Sequence, residues 1–141
     1  MDKPKQHQII NLPVHFDPRG NLSVIENEKQ LPFKMQRVYW IYDVPGGKIR
    51  HGHAFREQEE FIVALSGSFD VVLNDGENEV CHHMCRSYYG LYVPAMTWRH
   101  IDNFSTNSVA LVISSTRYQE EDYIEDFNQF KEELKKYEQS R

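Results

Sequence analysis

The chain has 141 residues, a formal net charge of −5, 40% hydrophobic and 13% aromatic residues, which suits one domain with one core that folds unaided. Its 16 lysines and arginines form no dense patch, which argues against a nucleic-acid binder but leaves single arginines free to read a small phosphorylated ligand. No apolar run long enough to span a membrane occurs, so no membrane partner is expected.

The N-terminal stretch MDKPKQHQIINLP lacks the apolar centre of a leader, so a cytoplasmic protein is expected. DPRGN (17–21) reads as a turn that Asp17 caps. NLSVIE (21–26) and RVYWIYDV (37–44) carry the β-branched and aromatic residues of strands, and VPGGK (44–48) breaks the chain after them. EEFIVALSG (59–67), SFDVVLND (68–75), GLYVPAM (90–96) and SVALVISST (108–116) read the same way, separated by turns at NDGEN, PAMTW and FSTNS. No alternation of strands and helices and no repeat is present, so an all-β sandwich or barrel is expected over about 8–116. Cys81 and Cys85 lie beside His82 and His83, a weak metal pattern that in a cytosolic chain more often means idle thiols. In the charged tail, Tyr123, Ile124, Phe127, Phe130 and Leu134 recur at steps of three and four. That spacing predicts a helix over about 120–138 with one apolar face packed on the barrel, completing a single domain over 1–141.

GKIRHGHAFREQEEFIVALSG (47–67) carries the chemistry. Small cupin barrels use a first motif of G, five residues, H-x-H, three or four residues, E, six residues, G. Counting back from Gly67 places Glu60, Phe55, His53 and Gly47 in that frame, with Phe55 where the second histidine is due. A second motif, P-x-G-x2-H-x3-N, matches Pro94 and Asn103, with Met96 for the glycine and Arg99 for the histidine. The metal positions thus hold His53, Phe55, Glu60 and Arg99. A phenyl ring has no lone pair and a guanidinium stays cationic, so no metal cofactor is expected. Alternation along a strand places His51, His53 and Phe55 on one face, and two imidazoles there suit proton transfer near neutral pH. Either histidine also has a purely structural reading.

The chain resembles the dTDP-4-keto-6-deoxyhexose 3,4-ketoisomerases, a group of metal-free cupins with the RmlC-like jelly-roll fold. The resemblance rests on DPRGNL (17–22), RVYWIYD (37–43), RHGHA (50–54), ALSGSFDVVLNDG (64–76), GLYVPAMTW (90–98) and DYIEDFNQF (122–130), in family order over nearly the whole chain. It implies a cytoplasmic enzyme that moves the carbonyl of a dTDP-linked keto sugar from C4 to C3, on the way to 3-amino sugars of surface polysaccharides or glycosylated products. It also implies a homodimer that exchanges N-terminal strands. The family pattern R-G-F-H-A-H matches at Arg50 and His53, with His51 at the glycine and Phe55 again at the second histidine. The resemblance assigns His53 as the base, His51 as partner acid or orienter, and Tyr39 as donor to the oxyanion. Arg19, Arg50 and Arg99 are candidates for phosphate or sugar contacts, and Trp98 and Tyr92 for lining the pocket or stacking on the base. Positions 19 and 99 vary between subgroups that differ at C4, and arginine at both does not select one product. Two other readings stay open: a nucleotide-sugar-binding cupin whose Phe55 marks lost activity, and a related epimerase.

Overall fold

The computed structural model describes residues 6–140; residues 1–5 of the stretch read above for a leader, and Arg141, lie outside them. The strands are β1 (Gln8–Asn11), β2 (Val14–His15), β3 (Leu22–Ser23), β4 (Arg37–Ile41), β5 (Arg50–Phe55) and β6 (Glu60–Ser66). After them come β7 (Phe69–Asn74), β8 (Glu79–Met84), β9 (Tyr89–Val93), β10 (Trp98–Asp102), β11 (Val109–Ser114), β12 (Tyr123–Ile124) and the helix α1 (Phe127–Gln139). Two five-stranded antiparallel sheets result, ordered β1-β9-β6-β11-β4 and β12-β5-β10-β7-β8. The order is that of a jelly roll; the sheets face each other without closing into a continuous barrel.

The strand period explains the layers. Ile62 and Ala64 of β6 point between the sheets, onto Val71, Leu73, Leu91, Val93, Ile101 and Val112. Phe61 and Val63 alternate with them and point outward. There Leu31 and Phe33, from the segment between β3 and β4, cover them together with Tyr92 and Ile113. A sheet covered on both faces explains why β6 reads as a continuous apolar run rather than an alternating one. The expected strand at 21–26 stops at Ser23 because the chain leaves the β2–β3 ribbon to lay Ile25 and the residues after it on that outer face.

The tail is α-helical only from Phe127 onward, after a single 3-10 turn at Glu120–Asp122. Asp126 stands at its N-cap, where its carboxylate accepts the Gln129 N–H at 2.9 Å. The expected start near 120 is overridden by tertiary contacts. Asp122 accepts the backbone N–H groups of Glu57 and Gln58 at 2.8 and 3.1 Å. Tyr123 and Ile124 then pair with Phe55 and Ala54 as β12. Ile124 and Phe130 still reach the core, with Ala54 and Met96. Among the described residues no helix is long and apolar enough to cross a membrane. On the edge strand β8, His82 meets His7 at 3.2 Å and His83 meets Asp70 at 2.6 Å, and both cysteines are free.

Gly52 lies under the indole of Trp98, which contacts Phe127 and Phe130 of α1 at ring-centre distances of 5.3 and 5.7 Å. A Cβ on Gly52 would stand 2.5 Å from Trp98 Nε1. The ring cannot retreat without displacing the helix. Gly52→Ala is therefore expected to destabilise the fold by about 1–3 kcal/mol, and a thermal melt equal to wild type would show the indole to be free to move.

Candidate functional site

At one end of the jelly roll a pocket of about 550 Å³ opens between β4 and β5. Its floor is a buried ion pair. Arg99 of β10 and Glu60 of β6 come from opposite sheets and are 3% and 1% exposed. Arg99 Nε and Nη2 donate to the two Glu60 oxygens at 2.8 and 2.9 Å, a bidentate fork. Tyr39 of β4 donates its hydroxyl to Glu60 Oε2 at 2.8 Å and accepts from Arg99 Nη2 at 3.1 Å. Gln58 adds a weaker donation to Glu60 at 3.3 Å, while its carbonyl accepts from Arg37 and Thr116 at 3.0 and 2.9 Å. Arg37 lies over the Tyr39 and Tyr118 rings, and its Nε is buried with no partner.

The charges set one another. Burial alone would raise the Glu60 carboxyl, but Arg99 overrides it and holds Glu60 below the usual carboxylate range. Burial, and then the neighbouring Glu60 charge, push the Tyr39 phenol well above its ordinary value. His53 sits opposite Arg99 in the β5–β10 ladder. Burial, reinforced by the Arg99 cation and opposed by Glu60, brings its imidazole down from 6.5 to about 4. His53 is therefore neutral at pH 7, and its Nε2 is buried without a hydrogen-bond partner.

The ladder also changes the expected face of β5. Arg99 pairs with His53 but Ile101 pairs with Arg50, so two β5 residues, His51 and Gly52, oppose His100 alone. This bulge interrupts the alternation. His53 and Phe55 share a face, with ring centres 4.8 Å apart, whereas His51 and Arg50 are exposed at the pocket rim.

Other expected site residues lie elsewhere. Arg19 folds back on Asp17, with Nε–Oδ1 at 2.9 Å, and does not line this pocket; Asp17 also accepts the Arg19 N–H at 2.8 Å, the expected turn cap. Tyr92 is buried on the outer side of the first sheet, and its hydroxyl donates to Glu59 Oε1 at 2.5 Å. Trp98 packs against α1. Tyr39 does line the pocket, but its hydrogen goes to Glu60, which leaves its oxygen as an acceptor rather than a free donor. Arg99 is in place but already paired. Four residues not assigned from sequence join the site: Ile41 and Ile49, Arg37, two positions from Tyr39 on the same strand face, and Tyr123 of β12. Strand alternation gave a signal for Arg37; none existed for Tyr123, whose place depends on the pairing with Phe55.

The four positions of the metal motif do not fit a cation. Phe55 offers no donor, and the Arg99 fork takes both Glu60 oxygens. Met96, at the glycine position of the second motif, keeps a left-handed φ of 57° and donates its N–H to the Phe55 carbonyl at 2.8 Å. The motif's backbone is thus retained where its ligand is not.

The family model for FdtA, WxcM-like, C-terminal, matches residues 5–135. A TDP-4-oxo-6-deoxy-α-D-glucose-3,4-oxoisomerase from Aneurinibacillus thermoaerophilus is 36% identical over 131 residues, covering 93% of this chain and 94% of that one. A 3,4-ketoisomerase crystal structure from Helicobacter canadensis superposes with a TM-score of 0.89 at 36% identity, covering 92% of this chain and 97% of that one. A sugar 3,4-ketoisomerase from Thermoanaerobacterium thermosaccharolyticum, solved with TDP, gives 0.91 at 28% identity over 94% of this chain and 97% of that one. A histidine-to-asparagine variant of that enzyme was solved with TDP-4-keto-6-deoxyglucose. The RmlC-like cupin expected from the sequence is the fold found.

An unfolded chain takes up a proton at His53 as the pH falls through 6.5, and the folded chain does so only near 4. Stability is therefore lost as the pH falls through that window, by roughly 2 kcal/mol between pH 7 and 5 from this residue. Denaturant midpoints of wild type and His53→Asn at the two pH values check this; an equal loss in both proteins would remove His53 as its source.

Proposed function

The chain belongs to the FdtA, WxcM-like C-terminal family, and we propose that its pocket converts a TDP-4-keto-6-deoxyhexose into the 3-keto isomer. The observation that carries this reading is a neutral, half-buried imidazole, His53, with a buried, unpartnered Nε2 in the wall of a pocket also lined by Arg37, Arg50 and Arg99, with one carboxylate, Glu60, paired beneath Arg99. The excess of positive charge suits a diphosphate and a developing enediolate.

His53 takes the proton from C3. The electron pair forms the C3–C4 double bond, and negative charge moves to the oxygen at C4. The same imidazolium returns the proton to C4, the hydroxyl hydrogen passes from O3 to O4, and the carbonyl reforms at C3. Nothing is oxidised or reduced overall. Arg37 and Arg50 hold the diphosphate or sugar oxygens. Tyr39 accepts a hydrogen bond from a sugar hydroxyl while keeping Glu60 and Arg99 in place. His51, at the rim, orients groups entering there. The product's place is ahead of the amino-transfer step of 3-amino-sugar synthesis for polysaccharides.

Proton NMR of TDP-4-keto-6-deoxyglucose with the protein in D2O tests the reading. A 3-keto isomer is expected, with deuterium at C4 where the imidazolium exchanges with solvent before returning its proton, and His53→Asn should lower the rate by roughly 10²-fold or more. Ligand-dependent shifts in the protein with no isomer and no exchange would leave only a binding cupin.

The proposed assembly is a homodimer with exchanged N-terminal strands. Val38 and Trp40 of the edge strand β4, with Tyr42 after it, are exposed at 42%, 58% and 60%. An apolar groove lined by Val14, Phe16, Leu65 and Tyr88 lies on the outer side of the same sheet. Uncovered apolar edges of this kind invite pairing, and β1 can keep its β9 register with a partner's β9 in place of its own. Sedimentation equilibrium is expected to give twice the 16.7 kDa chain mass, and Trp40→Glu to lower it; a wild-type monomer would exclude the dimer. The two free cysteines suit the reducing cytoplasm, which fractionation of producing cells would check.

A further inference from the structure

Isomerisation of a 4-keto-3-hydroxy sugar moves two hydrogens, one from C3 to C4 and one from O3 to O4. His53 accounts for the first. The pocket offers few groups for the second. Phe55, at the family's second histidine, has no exchangeable proton. Arginines do not release theirs. The Tyr39 hydrogen is committed to Glu60, with Arg99 on its oxygen, and burial makes that phenol a weaker acid. His51 is exposed at the rim.

Tyr123 remains. Its backbone pairs directly opposite Phe55 in the antiparallel β5–β12 register, so the two side chains stand on one face at cross-strand distance. Its ring is held by three others, with centres 4.6 Å from Phe55, 5.3 Å from His53 and 5.7 Å from Tyr118. It lines the same pocket as His53, and no described side chain hydrogen-bonds its hydroxyl. The pocket thus holds two phenols, one with its proton spent on the floor and one with its proton free.

We propose that Tyr123 is a catalytic residue that carries the oxygen-bound proton, replacing from across the strand what Phe55 lacks. The proposal rests on the isomerase reading above. The phenol gives its hydrogen to O4 as its oxygen takes the hydrogen from O3. One O–H bond forms at O4, one breaks at O3, and the tyrosine ends as it began. No charge accumulates, and no co-reactant is needed.

The test is Tyr123→Phe, which keeps the ring and its three contacts, assayed with TDP-4-keto-6-deoxyglucose beside wild type. A fall in kcat of roughly 10²-fold, with KM and the melting temperature little changed, supports the role. Phe55→His added to Tyr123→Phe should then recover at least part of the lost kcat, because a histidine returns to the facing position. An unchanged kcat in Tyr123→Phe overturns the proposal, as does a loss of rate that tracks a loss of folded protein. A wild-type chain that leaves the keto sugar unconverted removes the isomerase reading and this role with it, a result distinct from an active wild type with an equally active variant.

Discussion

A buried arginine–glutamate fork joins the two sheets of this protein, and the site is arranged around it. Taking a carboxylate and a guanidinium out of water costs several kcal/mol per ion, and their attraction offsets this only where geometry and extra hydrogen bonds are good. Both conditions hold here. Arg99 donates twice to Glu60, and Tyr39 and Gln58 fill further positions on the carboxylate. Removing one partner would leave an uncompensated charge in the interior. The pair therefore locks the relative placement of β4, β6 and β10 more strictly than apolar packing, which tolerates sliding and exchange of similar volumes.

The electrostatic consequence falls on His53. It faces Arg99 across the ladder, and burial together with that cation keeps its imidazole neutral at physiological pH. In the metal-binding version of this frame, the same corner would need three or four donors around a cation. Here the guanidinium supplies the positive charge from a side chain, and Phe55 fills the remaining position with a ring. The frame is kept while its metal-ligand set is not.

Aromatic packing then decides which groups reach the pocket. The bulge at His51 and Gly52 turns His51 to the rim and lets Trp98 lie over Gly52, where α1 holds it. The segment before α1 gives up helical geometry so that Tyr123 can pair opposite Phe55. Two anchors make that exchange favourable: Asp122 bonds the backbone between β5 and β6, and Asp126 starts the helix later than apolar spacing alone suggests. The outcome is a pocket wall of His53 and Tyr123 with the Phe55 ring packed against both.

Several features were legible without the structure because they depend on local rules. The apolar runs of β6, β7, β9 and β11 declare strands, and the spacing from Gly47 to Gly67 declares the cupin frame together with its missing ligand. Asp17 announces its turn, since an aspartate before Pro-Arg-Gly caps with its side-chain carboxylate, here on the Arg19 N–H. What stayed hidden depends on partners distant in the chain. Tyr123 fits a helical stripe as well as it fits a strand, and only the exposed backbone of β5 selects the strand. Trp98 and Tyr92 look like ligand-stacking residues, yet one is claimed by α1 and the other by the outer layer over the first sheet. His51 and His53 are equivalent by alternation until one extra residue in the ladder separates them. The sequence by itself thus determined the strand pattern, the motif frame and the loss of a metal-ligand set, because each is written in residues close along the chain. The tertiary structure alone decided which side chains share the pocket and which protons are free, because register and burial come from elements that meet only after folding.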